Sequence, residues 1–441
     1  MPNSNPETQN EIESGASWPD SLWRATAEPL DAMPGLDSEI YADVLVVGAG
    51  YTGLSAALHL SESINDIVVI DSAQPGWGCS GRNGGQINAG WKTSVPQLRQ
   101  LYPGQSFERF IETIDQSANL VFDLIDQYDI QCEAKRVGSI VPTRGHQGIQ
   151  YLGEWQKFWQ QYGAPVELLD ADATAKAIGH AQYDASMLDY RGGTLQPLSY
   201  TRGLARACLQ QGVAIYGDTA ATAVHKHGEG WLVETPRGRI KCRRLVMATN
   251  GYTDKLWPGL AQTIIPVASM LTASKPLPVE IARQIIPNRY PVAEYLGVSS
   301  YYRIDEQNRM VFGWRGTLSG AIGSLDTQHL RNRAVQLFPQ LKDIAWEYDW
   351  AGYVGITSHQ RPMLLCLGEN AYAGLGYNGR GITMATMMGK QLARLVCHKE
   401  PTIPLEPLQP VRFHRFHRAG VAARIIYGHM KDCFTRRARL R

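Results

Sequence analysis

No stretch of this chain approaches the roughly 20 consecutive apolar residues of a membrane-spanning helix, and no internal repeat or low-complexity block interrupts it. Neither sign of charge is in excess: 43 Lys and Arg against 41 Asp and Glu leave a net charge of +2. That balance argues against nucleic acid or an acidic membrane as the main partner. Cysteine is sparse and unpatterned. Cys79, Cys132, Cys208, Cys242, Cys366, Cys397 and Cys433 make an odd total with no C-x-x-C pair. This suits buried thiols in a reducing compartment and excludes a disulfide framework or a zinc site. The first 17 residues, MPNSNPETQNEIESGAS, have no apolar core and no basic start. They read as a short disordered head, neither a secretory signal nor a transit peptide. The expectation is a cytoplasmic protein. His225/His227 and His414/His417 lie in a polar turn and a basic tail without supporting carboxylates, so no metal is expected.

What is present is concentrated near the start. An apolar run, Val44 to Val47, turns through Gly48-Ala49-Gly50-Tyr51-Thr52-Gly53 into a helical pattern, Leu54 to Leu60. A second apolar run, Ile67 to Ile70, ends in Asp71. These are the parts of a βαβ dinucleotide-binding unit, each in its required context. Gly48 permits the tight turn, Gly50 admits a pyrophosphate, and Gly53 lets the helix pack on the sheet. The helix N-terminus, with Tyr51 and Thr52, offers N–H groups and positive dipole to phosphates. Asp71 stands where a carboxylate accepts from the ribose hydroxyls.

At 441 residues the chain accommodates two domains with substantial cores. A second glycine-rich loop, Pro75 to Gln86, follows the βαβ unit. Helical spacing runs from Pro96 to about Tyr128 and from Ile149 to Tyr162, and residues 165–180 read as a strand and a short helix. Alternating runs at Val213–Tyr216 and Gly230–Thr235 precede a return strand, Ile240–Ala248, which ends in Thr249-Asn250-Gly251. Residues 264–315 read mostly as β, Leu330–Phe338 as helix, and Asn370–Ala393 as strand, glycine-rich turn and helix. The nucleotide domain is therefore discontinuous, with a second sheet inserted between its pieces. The fold class is α/β, a Rossmann-type nucleotide domain with an inserted, mainly antiparallel sheet domain. The expected division is 1–39 as an N-terminal extension, 40–110, 181–258 and 345–400 as the nucleotide domain, 111–180 and 259–344 as the substrate domain, and 401–441 as a basic tail.

In this order and at these separations, GAGYTG, GWGCSGRNGGQ, LVMATNGYTDKLWPGL and GLGYNGRGIT resemble the D-amino-acid oxidase/glycine oxidase superfamily of FAD enzymes. Within it the chain is most similar to the gamma-glutamylputrescine oxidoreductase branch, which SLWRATA before the first strand also resembles. The resemblance implies FAD and a glutathione-reductase-like topology. Only one GxGxxG follows a strand, so electrons should come directly from the substrate. It implies that Ser80, Gly81, Arg82, Asn83, Gly84 and Gly85 run along the pyrophosphate and under the flavin. It also implies that Gly376, Asn378, Gly379, Gly381, Ile382 and Thr383 open a helix aimed at the flavin pyrimidine ring. Arg380 is read two ways, as positive charge near that ring or as a solvated residue. Many relatives anchor FAD through a cysteine just before this segment. Cys366 comes too late in the sequence to match, so FAD is expected to be non-covalent.

The implied reaction is hydride transfer from the carbon beside a neutral amine nitrogen to flavin N5. The small-molecule substrate is an amine, gamma-glutamylputrescine-like or alternatively a secondary or cyclic amino acid. Tyr301, Tyr302, Trp314, Arg315, His359 and Arg361 are the candidate substrate contacts, as aromatics boxing an alkyl chain or an arginine holding a carboxylate. No lysine stands in Arg309–Trp314, where some relatives carry one for oxygen activation. The acceptor is therefore left open between oxygen and an electron-transfer partner. A flavin-bound binding or assembly protein is the reading from another class. The tail from Arg412 carries nine Arg and Lys against Asp432. If helical it has an apolar stripe at Phe413, Phe416, Val421 and Ile425, for packing on its own domain or for docking on a membrane surface or partner.

Overall fold

Residues 17–91, 93–316, 322 and 325–439 are described by the computed structural model, so the expected disordered head lies largely outside the described residues. A short helix, Leu22–Thr26, is capped by Ser21, whose Oγ accepts from the Arg24 N–H at 3.2 Å. Along the chain follow β1 (Glu39–Val47), α1 (Tyr51–Leu60), β2 (Ile67–Ile70), α2 (Gln105–Gln127), β3 (Ser139–Thr143), α3 (Gly145–Gln161), β4 (Val166–Leu169), β5 (Ala185–Asp189), α4 (Pro197–Gln210), β6 (Ala214–Tyr216), β7 (Arg239–Met247) and β8 (Ile265–Ser274). The second half holds β9 (Val292–Ala293), β10 (Tyr301–Ile304), β11 (Met310–Arg315), α5 (Gln328–Leu337), β12 (Trp346–Ile356), β13 (Met363–Gly368), β14 (Ala371–Leu375), α6 (Gly381–Val396), β15 (Leu405–Pro407) and α7 (His417–Arg439).

The first sheet has the order β15-β13-β14-β7-β1-β2-β6. Its centre, β14-β7-β1-β2-β6, is parallel. Parallel central strands are covered on both faces, which is why the last four residues of β1 and all of β2 are buried apolar residues. A hairpin, Ala223–His227 and Gly230–Glu234, adds antiparallel to the first half of β7, while β14 pairs with its last residues. Helices α1, α2, α4 and α6 share one apolar core against this sheet. They approach closely because small residues meet: a Cβ on Gly389 of α6 would sit 2.5 Å from Ser55 Cβ of α1.

The second sheet has eight strands in the order β12-β8-β11-β10-β9-β3-β5-β4, antiparallel except at β9–β3. A separate core lies between it and α5. Three expected boundaries move. Strands β5 and β12, expected in the nucleotide domain, hydrogen-bond into the second sheet. Helix α2, expected in the substrate domain from residue 111, packs in the nucleotide core. Period alone shows that a segment has an apolar face, not which sheet that face meets. Among the described residues no helix is long and apolar enough to cross a membrane.

Candidate active site

The carboxyl ends of β1, β2 and β7 open into a continuous cavity of about 3570 Å³, which the second sheet and residues from the C-terminal segment also line. Small-molecule pockets are usually about 300–1,000 Å³. The space here is ample for a dinucleotide with a substrate beyond it.

At the nucleotide end, Gly48 leaves β1 with φ +114°, a region side chains avoid. A Cβ on Gly53 would lie 1.8 Å from the Gly48 carbonyl oxygen, so only glycine lets α1 seat against the strand end. The Ala49 N–H donates to Asp71 Oδ2 at 2.7 Å and the Ala73 N–H to Oδ1 at 3.0 Å. Each oxygen keeps a further lone pair for a hydroxyl donor. Burial raises the Asp71 pKa to about 6, against the pull of these two N–H donors. Ser80 Oγ accepts from the Tyr51 N–H at 3.0 Å, at the start of α1 and beside Gly50. The Tyr51 hydroxyl donates to Pro197 O at 3.1 Å, and the Thr52 hydroxyl meets the Tyr377 hydroxyl at 2.6 Å. Both side chains are thus held by the protein while their helix turn faces the cavity.

The second glycine loop is fixed by its own side chains. Arg82 donates from Nε to Trp77 O at 2.7 Å and from Nη1 to Ala351 O at 3.2 Å, with its guanidinium 4.2 Å from the Trp77 ring centroid. Asn83 donates to the Tyr51 hydroxyl at 3.0 Å and to Ser80 O at 2.9 Å, and accepts from the Gly85 N–H at 3.0 Å. Its own carbonyl takes the Trp23 Nε1–H at 2.7 Å. Ser80, Arg82 and Asn83 all line the cavity, and these bonds hold the loop at its wall. Gly84 lies on the cavity wall under the Tyr301 ring, 2.8 Å from where a Cβ would stand. Gly81 and Gly85 stand off the wall, against Gly76 O and Leu195 O, each 2.3 Å from the would-be Cβ. Their glycines answer to packing.

Thr249, Asn250, Gly251, Asn378, Gly379, Gly381 and Ile382 line the cavity. Asn250 Oδ1 accepts from the Gly376 N–H at 3.0 Å, and Asn378 Oδ1 from the Thr357 N–H at 2.9 Å. These bonds tie the ends of β7 and β12 to the turn before α6. Gly376 and Thr383 stand behind that wall. Thr357 Cγ2 lies 2.3 Å from the would-be Cβ of Gly376, and Thr383 Oγ1 donates to Asn88 O at 3.2 Å. Among the described residues a side chain at Gly381 would meet nothing within 4 Å, so the first turn of α6 borders open space. Its positive dipole end is therefore available to the cavity.

Of the six candidate substrate contacts, Tyr301 lines the cavity, its hydroxyl 2.7 Å from Ser269 Oγ. Tyr302 does not. Neighbouring side chains of a strand alternate, and Tyr302 stacks on Phe312 at 5.4 Å inside the second core, hydrogen-bonded to Tyr183 at 3.0 Å. Trp314 shares that face of β11 and packs at its edge, 5.6 Å from the His329 ring. The Arg315 side chain lies outside what is described. Arg361 is bound by Glu406 through Nη1 at 2.7 Å and Nη2 at 2.9 Å, and its Nε–H donates to His359 Nδ1 at 3.3 Å. Its charge is answered within the protein and is not offered to a substrate carboxylate. Burial, with Arg361 beside it, lowers the His359 pKa to about 4.

The inner end is built instead from residues read only as helix. Tyr151, Trp155 and Trp159 of α3 line it at four-residue spacing, with Tyr295 stacked on Tyr151 at 4.1 Å. Their spacing is visible in the sequence, but an aromatic stripe on a helix reads as core. Arg380, the N-cap of α6, lies on the same wall. Its Nε is enclosed and has no hydrogen-bond partner among the described residues, and burial lowers its pKa from 12.5 to about 10, against the pull of Asp189 and Tyr151. Asp189 is already paired with Arg191, Oδ1 to Nε at 2.9 Å and Oδ2 to Nη2 at 2.6 Å.

Residues 43–395 match the DAO family, FAD dependent oxidoreductase. The chain is 31% identical over 379 residues to gamma-glutamylputrescine oxidoreductase of Escherichia coli (strain K12), covering 85% of this chain and 88% of that one. Among solved structures it resembles glycine oxidase from Geobacillus kaustophilus, with TM-score 0.70 and 20% identity over 84% of this chain and 99% of that one. It also resembles L-proline dehydrogenase from P.horikoshii, with TM-score 0.69 and 17% identity over 84% and 97%. At these identities the structural likeness speaks to fold.

Proposed function

This chain belongs to the DAO family of FAD-dependent oxidoreductases, and from that premise we propose that it oxidises the C–N bond of an amine that also carries a carboxylate, with gamma-glutamylputrescine and its relatives as the substrate class. That it is an FAD-dependent oxidoreductase of amines or amino acids follows from the family. FAD supplies the hydride acceptor for such a reaction when bound.

The residues present fit the cofactor. Asp71 and the first turn of α1 suit its ribose and pyrophosphate, the loop ending at Gly84 and the strand end at Thr249–Gly251 flank it, and the first turn of α6 suits its far end. Among the described cysteines Cys79 alone lines the cavity, and burial raises its pKa to about 11. A thiol kept protonated is a poor nucleophile, which supports non-covalent FAD. Acid precipitation should then leave the flavin in the supernatant.

The observation that carries the substrate reading is Arg380, an enclosed cation on the cavity wall beside Tyr151. A buried guanidinium is costly unless an anion answers it, and a substrate carboxylate does so with two charge-assisted hydrogen bonds. Tyr151, Trp155 and Trp159 offer an apolar wall to a methylene chain. The test is anaerobic titration of the flavin band. Gamma-glutamylputrescine should bleach it and putrescine, which lacks the carboxylate, should not; equal bleaching by both would refute the role of Arg380. If proline or sarcosine bleaches it best, the carboxylate lies next to the reacting carbon and the alternative, a secondary or cyclic amino acid, holds. A flavin that no amine bleaches would favour a binding or assembly role. Lys255, the lysine that lines the cavity among the described residues, is exposed and lies far along the chain from β11. We therefore place the enzyme among dehydrogenases, with faster turnover on an artificial electron acceptor than on oxygen. A cytoplasmic setting, supported by the free thiols, is part of the same reading.

A further inference from the structure

Up to Met430, helix α7 is apolar on two opposite faces, and among the described residues only one of them is covered. Its inner face packs on the second domain: Ile425 is buried, Val421 is half-buried, and Gly428 lies so close to the loop at residue 297 that a Cβ would stand 2.5 Å from Gly297 O. The outward face carries Ala419, Ala423, Ile426, Tyr427 and Met430, at intervals of four, three, one and three residues, which place them on one stripe. Ile426 is 50% exposed, Tyr427 59% and Met430 51%. Just before the helix Phe413 and Phe416 add to it, 76% and 56% exposed. Arginines edge the stripe: Arg415 lies over the Phe416 ring at 4.8 Å and Arg424 over Tyr427 at 5.9 Å. Between Glu406 and Asp432 the sequence contains no acid.

We propose that this face docks on an anionic lipid bilayer, with the aromatic and aliphatic side chains at the acyl boundary and the arginines among the phosphates. A stripe of this size left in water marks an interaction surface, and apolar residues edged by arginines match the headgroup boundary of an anionic leaflet. A second copy of the chain would set arginine against arginine. Residues 1–16 offer only Met1 and Ile12 as large apolar side chains, too little apolar surface to match the stripe. The whole-chain charge of +2 conceals the segment because the acids lie elsewhere. Phe413, Arg415, Phe416 and Arg424 also line the large cavity, so docking would set one of its walls beside the membrane.

The test is co-sedimentation of the flavin-loaded full chain with vesicles of phosphatidylglycerol and phosphatidylcholine, against phosphatidylcholine alone, at two salt concentrations. Binding should need phosphatidylglycerol and weaken with salt. The double variant R415Q/R424Q should bind about 30-fold more weakly, from roughly fivefold per arginine, and I426Q/Y427Q should lose binding. These positions are at the surface, and flavin absorbance per protein confirms that the variants fold. Absence of binding, or variants that bind like the parent, would overturn the proposal. So would a dimer in light scattering that I426Q/Y427Q dissociates, which would make the partner a second copy.

Discussion

Replacing Arg380 with glutamine separates stability from function, because the structure gives the arginine a cost in the one and the proposed function gives it a use in the other. Its pKa falls from 12.5 to about 10 through burial. Lowering a pKa tenfold in acidity constant corresponds to about 1.4 kcal/mol, so the full displacement corresponds to roughly 3 kcal/mol against the charged form. The residue as a whole is only half-buried although its Nε is enclosed, so water screens part of this, leaving about 1–2 kcal/mol. R380Q should therefore raise the stability of the substrate-free protein by that amount, read from its denaturant midpoint. The same change removes the donor pair for a substrate carboxylate, an interaction worth about 2–5 kcal/mol when truncated in an enclosed site. By the same conversion, kcat/KM for a carboxylated amine should fall about 30- to 4,000-fold, measured by anaerobic flavin reduction. Activity on an amine without a carboxylate should fall far less. If R380Q lowers stability and leaves kcat/KM for carboxylated substrates intact, the arginine is structural and the substrate reading fails. An equal loss on both kinds of amine, accompanied by a shifted flavin potential, would assign the charge to the flavin ring.

Three further outcomes follow from other parts of the molecule. G53A places a Cβ 1.8 Å from the Gly48 carbonyl, so α1 must move; overpacking of this kind costs about 1–3 kcal/mol, and the denaturant midpoint and flavin occupancy should fall together. Asp71 has its folded pKa raised to about 6 from 3.8: in the cofactor-free protein its ionisation disfavours folding as pH rises through that range, while FAD binding uses the ionised form. The FAD Kd should therefore rise as pH drops below 6, and D71N should bind about 10- to 100-fold more weakly with that pH dependence removed; an unchanged profile would exclude Asp71 as the ribose acceptor. His180 is held down to about 3 by burial and the neighbouring Arg144 and Arg333. Its neutral form favours folding fully above pH 6.5, and the contribution drains as the unfolded chain takes up a proton between pH 6.5 and 3. H180Q should flatten the acid limb of the stability curve by up to about 1.4 kcal/mol per pH unit, read from denaturant midpoints at pH 4.5–7.5.

Elements with a strong local signal were legible. The turn at Gly48–Gly53, the acid at Asp71 and the strand–turn–helix at residues 370–393 are contiguous, and each is specified by residues within one or two turns of itself. Substrate contacts were not. Tyr301 and Tyr302 are adjacent and chemically alike, and alternation guarantees that they face opposite sides, but the side that meets the cavity depends on which sheet face α5 covers. Arg361 reads as available in the sequence, and Glu406, 45 residues on, comes back to it along β15. Arg82 and Asn83 carry donors, and only the positions of Trp77, Ala351 and Tyr51 decide that the protein uses them.

The sequence by itself determined the nucleotide unit, the discontinuous α/β plan and the family, because a phosphate-binding turn and its helix are local and leave little choice of residue. The tertiary structure alone decided which side chains wall the part of the cavity proposed for the substrate. Residues of α3, Tyr295 and Arg380 at the start of α6, far apart in the chain, line one stretch of its wall. Whether an aromatic or an arginine among them is packing, ion-paired or open to a ligand depends on partners that sequence spacing does not record.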